Sequence, residues 1–128
     1  MKFHTIIIGL AGILAFGSCT SNKEVSFQVL EAEITSITVA ESAISDTDVK
    51  VTINFNGPDG CSSAYNIKAD KVGQTITLKA YYKHEEGGVC TASVIPLTLD
   101  YSFFADLPGP FFFISATDNS VADTVVVY

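Results

Sequence analysis

Few side chains in this sequence could do covalent or acid–base chemistry. Cysteines stand at positions 19, 61 and 90, and histidines at positions 4 and 84. A nucleophile needs a neighbouring base, and the base needs an acid to orient it. His84 lies in Lys83-His84-Glu85-Glu86-Gly87-Gly88, a charged stretch at a strand end that reads as a solvated loop. No Gly-x-Ser-x-Gly elbow accompanies it. Cys61 and Cys90 lack the Cys-x-x-Cys spacing of a metal or redox pair, and the only histidine near them is His84. Asp46-Thr47-Asp48, and Asp118-Asn119 with Asp123, carry oxygens, but each group offers fewer than the roughly six to eight that calcium takes. They read as solvated loop acids. The sequence contains no Gly-rich phosphate loop and no His-Glu-x-x-His helix. No catalytic residue, metal or cofactor is expected, and the chain reads as non-enzymatic.

The cysteines divide by position. Cys19 closes an apolar leader, in which Lys2 supplies a positive start, Ile6 to Phe16 the apolar run, and Gly17-Ser18 the small residues of a cleavage point. The run is shorter than the roughly 18–20 residues that span a bilayer, so an export signal fits better than a transmembrane anchor. Phe16-Gly17-Ser18-Cys19 resembles the lipobox of bacterial lipoproteins, with Phe16 where that pattern prefers Leu. The resemblance implies a mature chain that begins at Cys19 and is acylated there, palmitate among the acyl groups. It also implies a place in the bacterial cell envelope, expected at the outer membrane, with the periplasmic or surface face left open. More than one acyl chain gives stable anchoring. An ordinary secretory peptide with an incidental Cys19 is the alternative. On this reading 1–18 is signal peptide, 19–25 a polar lipid-attached tether, and 26–128 one domain.

Charge narrows the partners. The full chain carries a net charge of −7, without Arg or Trp, and losing Lys2 with the leader makes the mature chain about one charge more negative. Nucleic-acid backbones are gripped by Lys and Arg, so a nucleic-acid partner is excluded. Anionic headgroups are disfavoured for the same reason. A protein partner, if charged, should be cationic, although acidity also serves solubility.

The body reads as β structure. Val49, Val51, Ile53 and Phe55 alternate with polar residues, as do Tyr65, Ile67 and Ala69, and Ile76, Leu78, Ala80 and Tyr82. Leu99, Tyr101 and Phe103 continue the pattern, which implies antiparallel strands with one face on a core. Phe111 to Ser115 and Thr124 to Tyr128 are apolar enough to be covered on both faces. Turn chemistry separates the runs, at Asn56-Gly57-Pro58-Asp59-Gly60, Val72-Gly73, Glu85-Glu86-Gly87-Gly88, Leu107-Pro108-Gly109-Pro110 and Asp118-Asn119-Ser120. Phe27 to Val39 is β-rich but loses phase twice, as a bulge or a strand changing sheets would cause. About seven short strands predict a two-sheet antiparallel sandwich, with a small barrel as the alternative. Export permits a Cys61–Cys90 disulfide; reactive, metal-bound or unpaired buried thiols are the other readings.

The segment from Cys61 to Ser115 resembles small immunoglobulin-like domains of secreted bacterial proteins and lipoproteins. The matching pieces are Cys61, Gly73-Gln74-Thr75-Ile76-Thr77-Leu78, Gly88-Val89-Cys90-Thr91 and Leu107-Pro108-Gly109-Pro110-Phe111. The resemblance implies an all-β, immunoglobulin-like sandwich and brings no substrate with it. Consecutive Phe residues on a strand point to opposite faces. If Phe103, Phe111 and Phe113 face inward, Phe104 and Phe112 face out, and on neighbouring strands they would form one apolar patch. That patch, with His84, Glu85 and Glu86, is the candidate binding surface. The expected function is a lipid-anchored domain binding a protein or another envelope component. The alternative is an inhibitor of a secreted lysozyme or protease, acting through His84 to Gly88 or Asn56 to Gly60.

Overall fold

A computed structural model describes residues 26–128, so the leader and the whole tether, Cys19 included, lie outside the described residues. Nine strands follow one another, with no helix among the described residues: β1 (Phe27–Ala32), β2 (Ile34–Val39), β3 (Ser42–Ala43), β4 (Thr47–Gly57), β5 (Ser62–Val72), β6 (Thr75–Glu85), β7 (Ile95–Ala105), β8 (Gly109–Ser115) and β9 (Ala122–Val127). They form two sheets. The larger runs β1-β6-β8-β9-β3 with β5 on the other side of β6, and the smaller runs β2-β4-β7. The chain is therefore a two-layer β-sandwich, as its alternating pattern requires, with two more strands than the sequence suggested.

The core lies between the layers. Val51, Ile53 and Phe55 of β4 meet Ile76, Leu78 and Ala80 of β6, with Phe113 of β8 and Val125 and Val127 of β9 beside them, all essentially excluded from water. Burying each large side chain is worth about 1.5–3 kcal/mol. Phe103 of β7 bridges the sheets, its ring 4.9 Å from that of Phe111 and 5.5 Å from that of Phe113.

The phase loss near Ser36-Ile37 coincides with a register shift, while that near Val29-Leu30 arises because Phe27 and Val29 of β1 point outward and Leu30 and Ala32 inward. The chain leaves the large sheet after Ala32, passes Glu33, and enters the small sheet at Ile34, with a register shift between Ile34 and Ser36. Ala32 and Ile34 are both buried, so Glu33 marks the crossing.

Three expectations need correction. The pairing is not wholly antiparallel, because β6 runs parallel to β8 and β3 parallel to β9. A parallel pair normally needs a helical crossover; here β7 in the opposite sheet makes the return, so two reversals restore the direction. Second, Tyr65 does not face the core, and Ala69, on the inward side opposite Leu78, stays exposed at the sheet edge. β5 is bulged between Ala64 and Asn66, which shifts the inward positions to Ala64 and Ile67. It is also an edge strand, exposed along most of its length. Third, β8 and β9 are covered on one face only: Phe111, Phe113 and Ser115 are buried, while Phe112 is exposed.

Candidate functional site

Cys61 and Cys90 form a disulfide with their Cα atoms 5.3 Å apart. It joins the β4–β5 turn to the loop after β6, and neighbouring bonds lock the same corner. The Gly60 N–H donates to the Thr91 carbonyl (2.9 Å) and the Glu85 N–H to the Cys61 carbonyl (3.1 Å). The Glu86 N–H donates to the Ser26 carbonyl (2.9 Å), tying the loop to the start of the domain. Gly57 completes the packing, since a Cβ there would collide with the Cβ of Ser62.

His84 is not the solvated loop residue its neighbours suggest. It sits on β6 opposite Ser62, and its Nε2–H donates to both carboxylate oxygens of Asp59 (2.9 and 2.8 Å). Asp59 also accepts from the Cys61 N–H (2.9 Å). The hydrogen bond from His84, helped by that of Cys61, holds the Asp59 carboxyl below the usual carboxylate range against an opposing desolvation. The sequence signal for this pair was Pro58-Asp59-Gly60, which reads as turn chemistry alone.

A serine, a histidine and an aspartate thus meet in one corner. Hydrolytic chemistry needs the hydroxyl bonded to the imidazole and open to substrate. Ser62 Oγ is buried and has no hydrogen-bond partner among the described residues. Asp59 also lies close to both sulfurs, but their bond to each other leaves no thiolate to hold a metal. The corner is built for rigidity. Beyond it, Glu86 and Val89 are exposed and Glu85 is half-buried, so the loop displays acid and an apolar tip.

Two of the remaining acids serve the fold. Asp123 accepts from the Val39 N–H (2.8 Å), linking the two sheets, and Asp118 accepts from the Ser120 N–H and hydroxyl (2.9 and 2.6 Å). Those bonds from Ser120 lower the Asp118 carboxyl pKa. Asp46 occupies a left-handed turn position with φ of 63°. The Asp118 and Asp123 carboxylates are thus turn and sheet fixtures, whereas those of Asp46 and Asp48 are exposed, as expected of solvated loop acids.

Phe104 and Phe112 are both exposed, at 53% and 43%. They do not form one patch. β7 and β8 belong to opposite sheets, so Phe103 and Phe111 meet inside while their neighbours point out from opposite faces.

The two outer faces differ in kind. That of the small sheet is mostly polar and internally bonded, with Phe104 its exposed ring: Thr52 Oγ1 donates to Asp100 (2.9 Å), Thr98 Oγ1 to Asn54 (2.7 Å), and Asn54 Nδ2 to Ser36 (2.9 Å). The outer face of the large sheet exposes Phe27 and Val29 of β1, Tyr65 and Val72 of β5, and Phe112 of β8. The Lys83 ammonium lies 5.4 Å from the Phe27 ring and 4.7 Å from the Tyr65 ring, and Lys68 lies 5.2 Å from the Tyr81 ring. The alternation in β1 and the bulge in β5 hid this face in the sequence.

A family model described as ORF11 beta-sandwich domain matches residues 49–110, from β4 to the start of β8. Over that stretch the chain is similar to this family, in agreement with the two-sheet architecture. No curated protein matches the chain. No solved structure matches it either.

Proposed function

We propose that this chain is a lipid-anchored, non-enzymatic domain of the bacterial cell envelope, with an immunoglobulin-like sandwich, that binds a protein partner. Anchoring at Cys19 draws its support from the apolar leader and the lipobox-like Phe16-Gly17-Ser18-Cys19. The observation that carries binding is the locked corner. One disulfide and the bonds around it fix the loop bearing Glu85, Glu86 and Val89 before any partner arrives. Preorganisation reduces the ordering cost of association. The acids of this loop, Glu86 exposed and Glu85 half-buried, suit a cationic partner.

The test is capture of a partner from envelope extracts by the membrane-extracted chain. Reversing Glu85→Lys and Glu86→Lys together should lower capture about tenfold, and added salt should weaken the wild-type interaction. Capture indifferent to both changes would refute a role for this corner.

One observation favours inhibition of a secreted hydrolase as a second reading. Val89, next to the half-cystine Cys90, is fully exposed, an apolar side chain offered on a braced loop. Val89→Asp should then abolish inhibition of a lysozyme or protease that the wild-type chain inhibits.

A further inference from the structure

We infer that the outer face of the large sheet lies on the lipid surface to which Cys19 anchors the chain. The inference rests on the anchoring read above; of the locked corner it uses only Glu85, which lies opposite Phe27 at the edge of this face.

Three observations converge on it. The first is where the tether meets the fold. Phe27, the first residue of β1, is also the first exposed ring of this face. Cys19 lies eight residues earlier, a span of at most about 28 Å fully drawn out. A lipid on Cys19 therefore holds this end of the sandwich within a short reach of the headgroups.

The second is the chemistry of the face. Phe27, Val29, Tyr65 and Phe112 are exposed at 53%, 46%, 48% and 43%, more than solubility alone accounts for on one side of a small domain. Aromatic rings favour the membrane–water interface, and lysines extend their ammonium groups from apolar surroundings toward water. Lys83 between Phe27 and Tyr65, and Lys68 over Tyr81, combine these two habits. The opposite outer face bonds its Thr, Asn and Asp side chains to one another and exposes one ring, Phe104, against Phe27, Tyr65 and Phe112 on this one.

The third is charge. By strand register the face carries Lys68, Lys79 and Lys83 against Glu31, Asp70 and Glu85, and so is balanced. The other described residues hold two lysines against ten carboxylates. An anionic surface would repel the acidic remainder, and the balanced face is the side it could approach. The sequence-level objection to lipid contact concerns the whole chain, not this side of it. Tethering makes the second contact intramolecular, so a weak one suffices.

The chain has no tryptophan, so single reporters can be introduced cleanly. Tyr65→Trp places one on this face, and Thr38→Trp places one on the exposed outer side of β2 in the small sheet. Each full-length variant would be extracted from membranes, its Cys19 acylation checked by mass, and reconstituted into phosphatidylethanolamine vesicles with brominated acyl chains. The Tyr65→Trp emission should fall about twofold relative to unbrominated vesicles, as for a group seated at the headgroup–acyl boundary, with Thr38→Trp unchanged. Equal emission from both variants on an acylated chain would overturn the inference while leaving the anchor standing, and would return this face to a protein partner. An unacylated Cys19 would overturn both.

Discussion

Asp59 shows how one side chain can organise a corner. Its carboxylate receives the His84 imidazole and the Cys61 N–H, and its pKa is lowered as a result. A lowered carboxyl pKa stabilises the fold fully above the unfolded value of about 3.9, and the contribution fades as pH falls through the folded value. The melting temperature should therefore drop on acidification below the ordinary carboxylate range, and in Asp59→Asn it should drop less over the same interval. Melts recorded from neutral to strongly acidic pH check this; parallel curves would contradict it. Gly57 offers a steric counterpart. A methyl group there meets the Cβ of Ser62, which cannot rotate away, so Gly57→Ala should cost about 1–3 kcal/mol in urea denaturation.

At the scale of elements, the alternation of β7 sends neighbouring rings to opposite fates. Phe103→Ala empties the space between the sheets and should cost about 3–5 kcal/mol. Phe104→Ala removes an exposed ring and should stay within about 0.5 kcal/mol. Urea titration of the two variants separates them. The disulfide closes a loop of 29 residues, so replacing both Cys61 and Cys90 by Ser should cost about 3.5 kcal/mol and speed amide exchange at Gly60 and Glu85. What the sequence made legible follows the same physics. Strands β4, β6 and β7 could be read because each has one wet face and one dry one, which leaves a period of two. β5 misleads because a bulge breaks the period and an edge strand buries little on either side. The sheet to which a strand belongs is set by contacts far along the chain, so the separation of Phe104 from Phe112 was not readable locally. The disulfide was within reach from the turns beside each cysteine. The Asp59–His84 pair was not, because nothing in the spacing of a turn aspartate and a strand histidine brings them together.

Over the whole molecule, polarity is distributed between the two outer faces rather than along the chain. One face satisfies its own hydrogen bonds, while the other exposes rings and lysines beside the end that the tether enters. The locked corner lies at that same end, since Glu86 bonds to Ser26. A tethered sandwich of this kind would hold one face to the bilayer and offer its braced acidic loop to whatever approaches along the surface. All of this depends on a lipid at Cys19. Intact-mass measurement of the chain extracted from bacterial membranes tests it directly. The expected result is a polypeptide that begins at Cys19 and carries the added mass of its acyl chains. A chain that retains residues 1–18, or one that begins elsewhere without acyl groups, would contradict it.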